Sequence, residues 1–189
     1  MYFKELDYPK FDLLEDFNML LDTGVIQKNK DNDQYCINTV PGEDDSPNFG
    51  RGSLEKDWDK SYYDNETQKI VVPDKPVVYK EEDFTQLVSA FKNTSFEKMY
   101  DYLNEKYVLG RVRVMISKPK TCLSWHQDWH NRIHYPMQTQ LGCLMVIEDE
   151  VKYLEKNKWY FTNTLVSHTA FNASFNDRIH LVATVISDK

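Results

Sequence analysis

The chain has 189 residues, 41% apolar, 28% charged and 14% aromatic, a composition that excludes a disordered, collagenous or membrane-embedded chain and fits one compact domain, residues 1–189. Its 23 basic and 30 acidic side chains leave a formal charge of −7, the wrong sign for neutralising nucleic-acid phosphates, so no nucleic-acid partner is expected. The start lacks a basic segment followed by an apolar one, and no apolar run approaches the roughly 18 residues of a membrane helix, so a cytoplasmic protein without membrane contact is expected.

Leu14, Phe17 and Leu21 recur at helical spacing after Pro9 and predict an N-terminal helix. Around residues 28–68 Gly42, Gly50, Gly52, Pro41 and Pro47 predict turns and short strands such as 35–40, packed through interspersed aromatic residues. Phe84, Leu87, Val88 and Phe91 fit i, i+3, i+4, i+7 and predict a second helix. Phe96, Met99, Tyr100 and Leu103 repeat that spacing after Thr94 and predict a third, with Glu97 completing a capping box.

After Gly110 the period changes to 2, Val112, Val114 and Ile116 alternating with Arg111, Arg113 and Met115. Short apolar runs follow at 122–125, 133–137, 141–147, 151–154, 159–161, 165–169 and 179–186. So many short strands predict a mainly β fold, a sandwich, jelly roll or barrel over residues 111–189, with the helical and loop-rich residues 1–110 packed on one face. The charge divides at the same place: residues 1–110 hold 13 basic and 23 acidic side chains, residues 111–189 hold 10 and 7. A locally positive second half in an acidic protein suits a small anionic ligand. Cys36, Cys122 and Cys143, odd in number and widely spaced, read as reduced thiols, with Cys122 and Cys143 as small core residues. The run 148–150 reads as a solvated hairpin turn.

All five histidines, His126, His130, His134, His168 and His180, lie in the last third of the chain. On a strand, i and i+2 share a face, so His126 and Asp128 can offer an imidazole nitrogen and a carboxylate oxygen to one ion. Alone the tripeptide is weak evidence. His168, 42 residues on and on another predicted strand, completes the two-His, one-carboxylate set that binds non-haem Fe(II) and leaves coordination positions open. A 2-oxo acid and O2 fit those positions, and the far carboxylate of 2-oxoglutarate then needs a cation. Arg178 opens the last apolar run, where an inward-facing charge is costly unless it meets an anion. Trp125 and Trp129 flank the motif and either close a pocket or simply pack, while His130 and His180 read as satisfied non-ligand histidines.

Pro119-Lys120-Thr121, His126-Gln127-Asp128, Arg132-Ile133-His134, Asn157-Lys158, His168-Thr169-Ala170-Phe171-Asn172 and Arg178, in this order and spacing, resemble the aspartyl/asparaginyl β-hydroxylase branch of the 2-oxoglutarate- and Fe(II)-dependent oxygenases. The resemblance covers residues 112–186. It implies a double-stranded β-helix (jelly-roll, cupin-like) core, with His126, Asp128 and His168 binding Fe(II) and Arg178 gripping 2-oxoglutarate. Arg132 and His134 would contact the co-substrate or a substrate carboxylate. The implied activity is a dioxygenase that hydroxylates an amino acid or a peptide or protein side chain, using O2 and releasing succinate and CO2. The presence of Asp128 resembles the free-amino-acid hydroxylases more, and Asn157 replaces a family glycine. Two other readings remain at this stage: a cupin-like metalloenzyme without 2-oxoglutarate, and a metal-free β-sandwich binding module.

Overall fold

The computed structural model describes residues 1–28, 33–57, 60–76 and 78–189. The first half comprises β1 (Phe3–Leu6), α1 (Leu13–Asp22), β2 (Gln34–Cys36), β3 (Asn38–Thr39), β4 (Tyr62–Asp64), β5 (Lys69–Val71), β6 (Gln86–Leu87) and α2 (Ser95–Lys106). The second half is all strand: β7 (Tyr107–Ser117), β8 (Thr121–Cys122), β9 (Asn131–Gln138), β10 (Cys143–Ile147), β11 (Glu150–Tyr153), β12 (Trp159–Thr162), β13 (His168–Asn172) and β14 (Arg178–Asp188). Two large antiparallel sheets result, a six-stranded one in the order β1-β12-β9-β14-β7-β2 and a four-stranded one in the order β11-β10-β13-β8, while β3 pairs with β6 and β4 with β5 in two-stranded sheets. This is the jelly-roll, cupin-like arrangement, mainly β with a few helices. No described helix is long and apolar enough to cross a membrane.

The alternation along β7 explains which side of the large sheet meets the helices. Val112 and Val114 join Ile133, Tyr135, Leu181 and Ala183 in one buried cluster with Leu13 and Phe17 of α1 and Phe96, Met99 and Leu103 of α2. Period-2 apolar residues on three central strands thus make one apolar face, and two helices with apolar stripes cover it. Thr94 caps α2 by accepting from the Phe96 amide at 3.1 Å, and Asp16 of α1 accepts from the Ser95 amide at 2.5 Å, a negative charge at the positive end of the neighbouring helix. Glu97 reaches one residue beyond the expected box, to the Asn93 amide at 2.7 Å. On the sheet's other face stand the polar partners of that alternation, Arg111, Arg113, Arg132, His134, Arg178, His180 and Thr184, all buried.

The helix predicted over 84–91 is absent. Phe84, Val88 and Phe91 are fully buried as the pattern requires, but 86–87 pair with β3 and the Val88 amide donates to the Ile37 carbonyl at 2.9 Å. Only a 3-10 turn forms at 89–91. Eight residues are too few for a self-sustaining helix, and pairing with a buried strand satisfies the backbone better. Asn38 anchors this crossing: its Nδ2 donates to the carbonyls of Phe84 (2.6 Å) and Gly110 (2.9 Å), and its Oδ1 accepts from the Val112 amide (2.8 Å). Asn38→Ala strands three buried backbone groups and is expected to cost about 3 kcal/mol in urea unfolding.

Residues 1–110, expected as helical and loop-rich, also supply both edges of the large sheet, β1 and β2. Cys122 is exposed, contrary to the expectation of a core residue, whereas Cys36 and Cys143 are buried. The turn expected over 148–150 forms at 148–149, both exposed, and Glu150 already pairs with Ile147 as the first residue of β11. Asn157 has φ 60, and asparagine is among the few residues that take this left-handed conformation readily.

Candidate metal centre

His126 and His168 are brought side by side by backbone pairing. The segment after β8 continues antiparallel to β13, and the His126 amide donates to the His168 carbonyl (3.1 Å) while the His168 amide donates to the His126 carbonyl (2.9 Å). Such a reciprocal pair makes the two residues direct cross-strand neighbours. The register slips by one residue between Cys122↔Phe171 and His126↔His168, so the strand expected over 122–125 ends at Cys122. The strand expected over 165–169 begins only at His168, and Asp128 lies in a loop, its amide held by the Thr164 carbonyl at 2.8 Å.

Each imidazole is oriented from behind. His126 Nδ1 lies 2.7 Å from the Ser124 carbonyl and His168 Nδ1 lies 3.0 Å from the Val166 carbonyl. A carbonyl only accepts, so both rings carry their proton on Nδ1, and the Nε2 lone pair of each is left for a ligand. The ring centroids are 4.2 Å apart, His168 Nε2 lies 3.6 Å from Asp128 Oδ2, and one ligand atom from each of His126, Asp128 and His168 falls within 4.8 Å of the others. Burial lowers the pKa of His168, which favours the neutral, ligating form.

Asp128 is aimed by Arg132, whose Nε donates to Oδ2 at 3.0 Å and whose guanidinium also bonds Thr184. Burial alone would raise the Asp128 pKa, but the charge and hydrogen bond of Arg132 hold it below the usual range. Behind Arg132 stands Glu81, which binds Arg111 through two nitrogens at 2.8 and 3.1 Å and lies 4.0 Å from Arg132. A Cβ on Gly110 would come within 2.7 Å of Glu81 Oε2, so glycine there is what admits this carboxylate. Burial pushes the Glu81 carboxyl up, yet Arg111 and then Arg132 and Arg113 overcome it and hold the pKa down at about 2. A depressed carboxylate stabilises the fold above its unfolded pKa and loses that contribution as pH falls. About 3 kcal/mol is therefore expected to disappear between pH 4.5 and 2. Chemical-denaturation curves along this range, with Glu81→Gln flattening them, are the check.

The triad opens onto a cleft of about 1190 Å³ between the sheets. Its floor is the polar face of the large sheet, in rows that the register defines: Arg132 opposite Thr184, Arg113 and His134 either side of Val182, Met115 opposite His180, and Ser117 opposite Arg178. Leu123, Met145, Ala170 and Val182 give it apolar wall. Arg178 is 5% exposed and has no carboxylate partner among the described residues; its bond is to His180 Nδ1 at 3.0 Å. Burial lowers its pKa to about 10, so it remains charged at neutral pH. His134 is buried with neither ring nitrogen hydrogen-bonded, and burial, with Arg178 and Arg132 nearby, lowers its pKa to about 3, leaving it neutral.

All six residues predicted for the site therefore line one cleft. Arg132 is turned to Asp128, and His180, read as a satisfied non-ligand histidine, accepts at Nδ1 from Arg178. Trp125 and Trp129 are 57% and 78% exposed, with Trp129 at the cleft and its Nε1 bonded to Glu55 at 2.7 Å. Sequence reasoning did not single out Glu81, Arg111 or Arg113 as site residues. The signal for the two arginines was present in the alternation after Gly110: if the valines face the helices, the arginines must face the interior.

Fold and site together define a jelly-roll protein with a two-histidine, one-carboxylate centre suited to a divalent metal. A family model for aspartyl/asparaginyl β-hydroxylases matches residues 55–187, and the chain belongs to that family. It is accordingly a hydroxylase-type protein. Among solved structures, a cupin domain from Bordetella pertussis Tohama I is 19% identical over 41% of this chain and 81% of its own, with TM-score 0.36. An oxidoreductase of the 2OG-Fe(II) oxygenase family from Burkholderia pseudomallei is 14% identical over 52% of this chain and 58% of its own, with TM-score 0.43. AviO1 from Streptomyces viridochromogenes Tue57 is 10% identical over 100% of this chain and 91% of its own, with TM-score 0.46. No curated protein matches the chain.

Proposed function

We propose that the protein is a 2-oxoglutarate- and Fe(II)-dependent dioxygenase that hydroxylates an amino acid or a peptide side chain. The observation that carries this reading is Arg178, a buried guanidinium without a carboxylate partner among the described residues, in the same cleft as the triad. A charge left so is costly unless an anion completes it, and a planar fork suits a carboxylate. His126, Asp128 and His168 would hold Fe(II), their donor set being two neutral nitrogens and one carboxylate.

Bound together, Fe(II), 2-oxoglutarate and O2 supply the oxidising power that places one oxygen atom in a C–H bond, with succinate and CO2 as co-products. The chain's residues do the rest. Arg178, held by His180, anchors the far carboxylate of the co-substrate. Arg132 keeps Asp128 ionised and pointed at the histidines. His134 stays neutral and offers one donor and one acceptor to whichever ligand lies over Val182. Leu123, Met145 and Val182 exclude water from the reacting carbon. Small anionic partners and a cytoplasmic setting accord with this reading.

Anaerobic addition of Fe(II) and 2-oxoglutarate should produce a weak visible charge-transfer band, and one of a set of amino acids and short peptides should stimulate succinate formation with a 16-dalton gain in product. Metal binding with no such band would favour the metalloenzyme without 2-oxoglutarate.

A further inference from the structure

The floor of the cleft holds more positive charge than one co-substrate can use. Arg111 is matched by Glu81 and Arg132 by Asp128. Arg113, like Arg178, has no ion pair among the described residues, although it is only 6% exposed. Its NH1 rests on Gln34 Oε1 at 3.1 Å and the Gly52 carbonyl at 3.4 Å, and its Nε is buried with no hydrogen-bond partner. Both partners of NH1 are neutral, so neither cancels the charge.

We propose that Arg113 docks a carboxylate of the primary substrate, which makes that substrate a small carboxylic acid such as a free amino acid. Arg113 stands on the inner face of β7 beside Val182, with the unpartnered His134 across the same row, so the anion it receives lies in the cleft. Arg178 faces Ser117, four residues further along β7 and about 13 Å away along the strand. The two guanidinium groups therefore serve as separate anchors, one at each side of the row that carries His180. Burial and the neighbouring Arg111 and Arg132 lower the Arg113 pKa to about 9, a repulsion that an incoming anion relieves. A monoanion is favoured over a phosphate dianion because Glu81 and Asp128, both ionised, stand by the same cluster.

The inference rests on the oxygenase reading for its word "substrate", but its test separates the two. Calorimetric titration of the metal-free protein with acetate, a bare carboxylate probe, is expected to show two sites. Arg113→Met should weaken one at least tenfold and Arg178→Met the other, with inorganic phosphate binding more weakly than acetate at the Arg113 site. Arg113→Met is also expected to melt no lower than wild type, since it removes an unneutralised buried charge. Should that variant not fold, Arg113→Lys, which keeps the charge but loses the fork, should weaken the same site at least threefold. Acetate sites unchanged in the folded Arg113 variants would overturn the proposal, and tighter phosphate than acetate binding there would overturn the carboxylate assignment. Loss of a site in Arg113→Met, with none lost in Arg178→Met, would leave this proposal standing and remove the support for co-substrate binding at Arg178.

Discussion

His168→Ala is expected to lower divalent-metal affinity by more than about 100-fold and to abolish hydroxylation. Loss of hydrogen-bonding support behind a ligand typically costs about 10–100-fold, so loss of the ligand itself must exceed it. The effect should be local. The reciprocal backbone bonds between residues 126 and 168 do not use the imidazole, so the pairing of the two segments survives the substitution. Asp128 keeps Arg132 as its partner, so no buried carboxylate is left unmatched. Co(II) titration followed by its visible absorption, beside a thermal melt of the same sample, separates loss of the ligand from loss of the fold. An unchanged metal content would mean that the protein is the metal-free binding module.

Arg178→Gln is expected to raise the KM for 2-oxoglutarate by about 100-fold or more, while kcat at saturating co-substrate falls far less. Removing one partner from a buried, hydrogen-bonded charge pair costs about 3–5 kcal/mol, which is more than two decades in affinity. Arg178 makes no hydrogen bond or ion pair to the candidate ligands His126, Asp128 and His168; its bond is to His180. Metal affinity should thus stay near wild type, a split that a merely structural arginine would not produce. Arg178→Lys is not a conservative control, because a point charge replaces a planar fork and the bond to His180 Nδ1 needs a new geometry. Equal KM values for wild type and Arg178→Gln would sink the assignment of this residue to the co-substrate.

How far these residues were legible beforehand differed from one to the next. His126, Asp128, His168 and Arg178 were legible as candidates because metal and carboxylate chemistry restricts residue type at short, ordered spacings, and the structure brings all four to one cleft. The strand periodicity after Gly110 was readable for a related reason: a central strand covered by helices on one side must alternate, and β7, β9 and β14 do. The helix over 84–91 was misread because its apolar spacing is equally satisfied by a turn that buries Phe84, Val88 and Phe91 around a short strand pairing. Apolar positions alone do not say where the backbone amides go. His180, read as a satisfied non-ligand histidine, is bonded at Nδ1 to the guanidinium two residues before it on the same strand face, while its Nε2 is buried without a partner, which only the burial reveals.

The sequence by itself determined the class of fold, the three candidate ligands and the candidate anion-binding arginine, since each follows from residue type and periodicity along one stretch of chain. Only the tertiary structure decided what surrounds them. Glu81 enters the cluster from 29 positions before Gly110, Gln34 reaches Arg113 from an edge strand, and Arg132 turns to Asp128 rather than to open cleft. These are encounters between segments far apart in the chain, which no local pattern specifies. Two arginines, Arg113 and Arg178, finish without a carboxylate partner among the described residues, because the sheet holds them too far from Glu81 and Asp128 for ion pairing. That remainder is visible only when every buried charge has been matched in space, and it is the ground for the two binding roles proposed above.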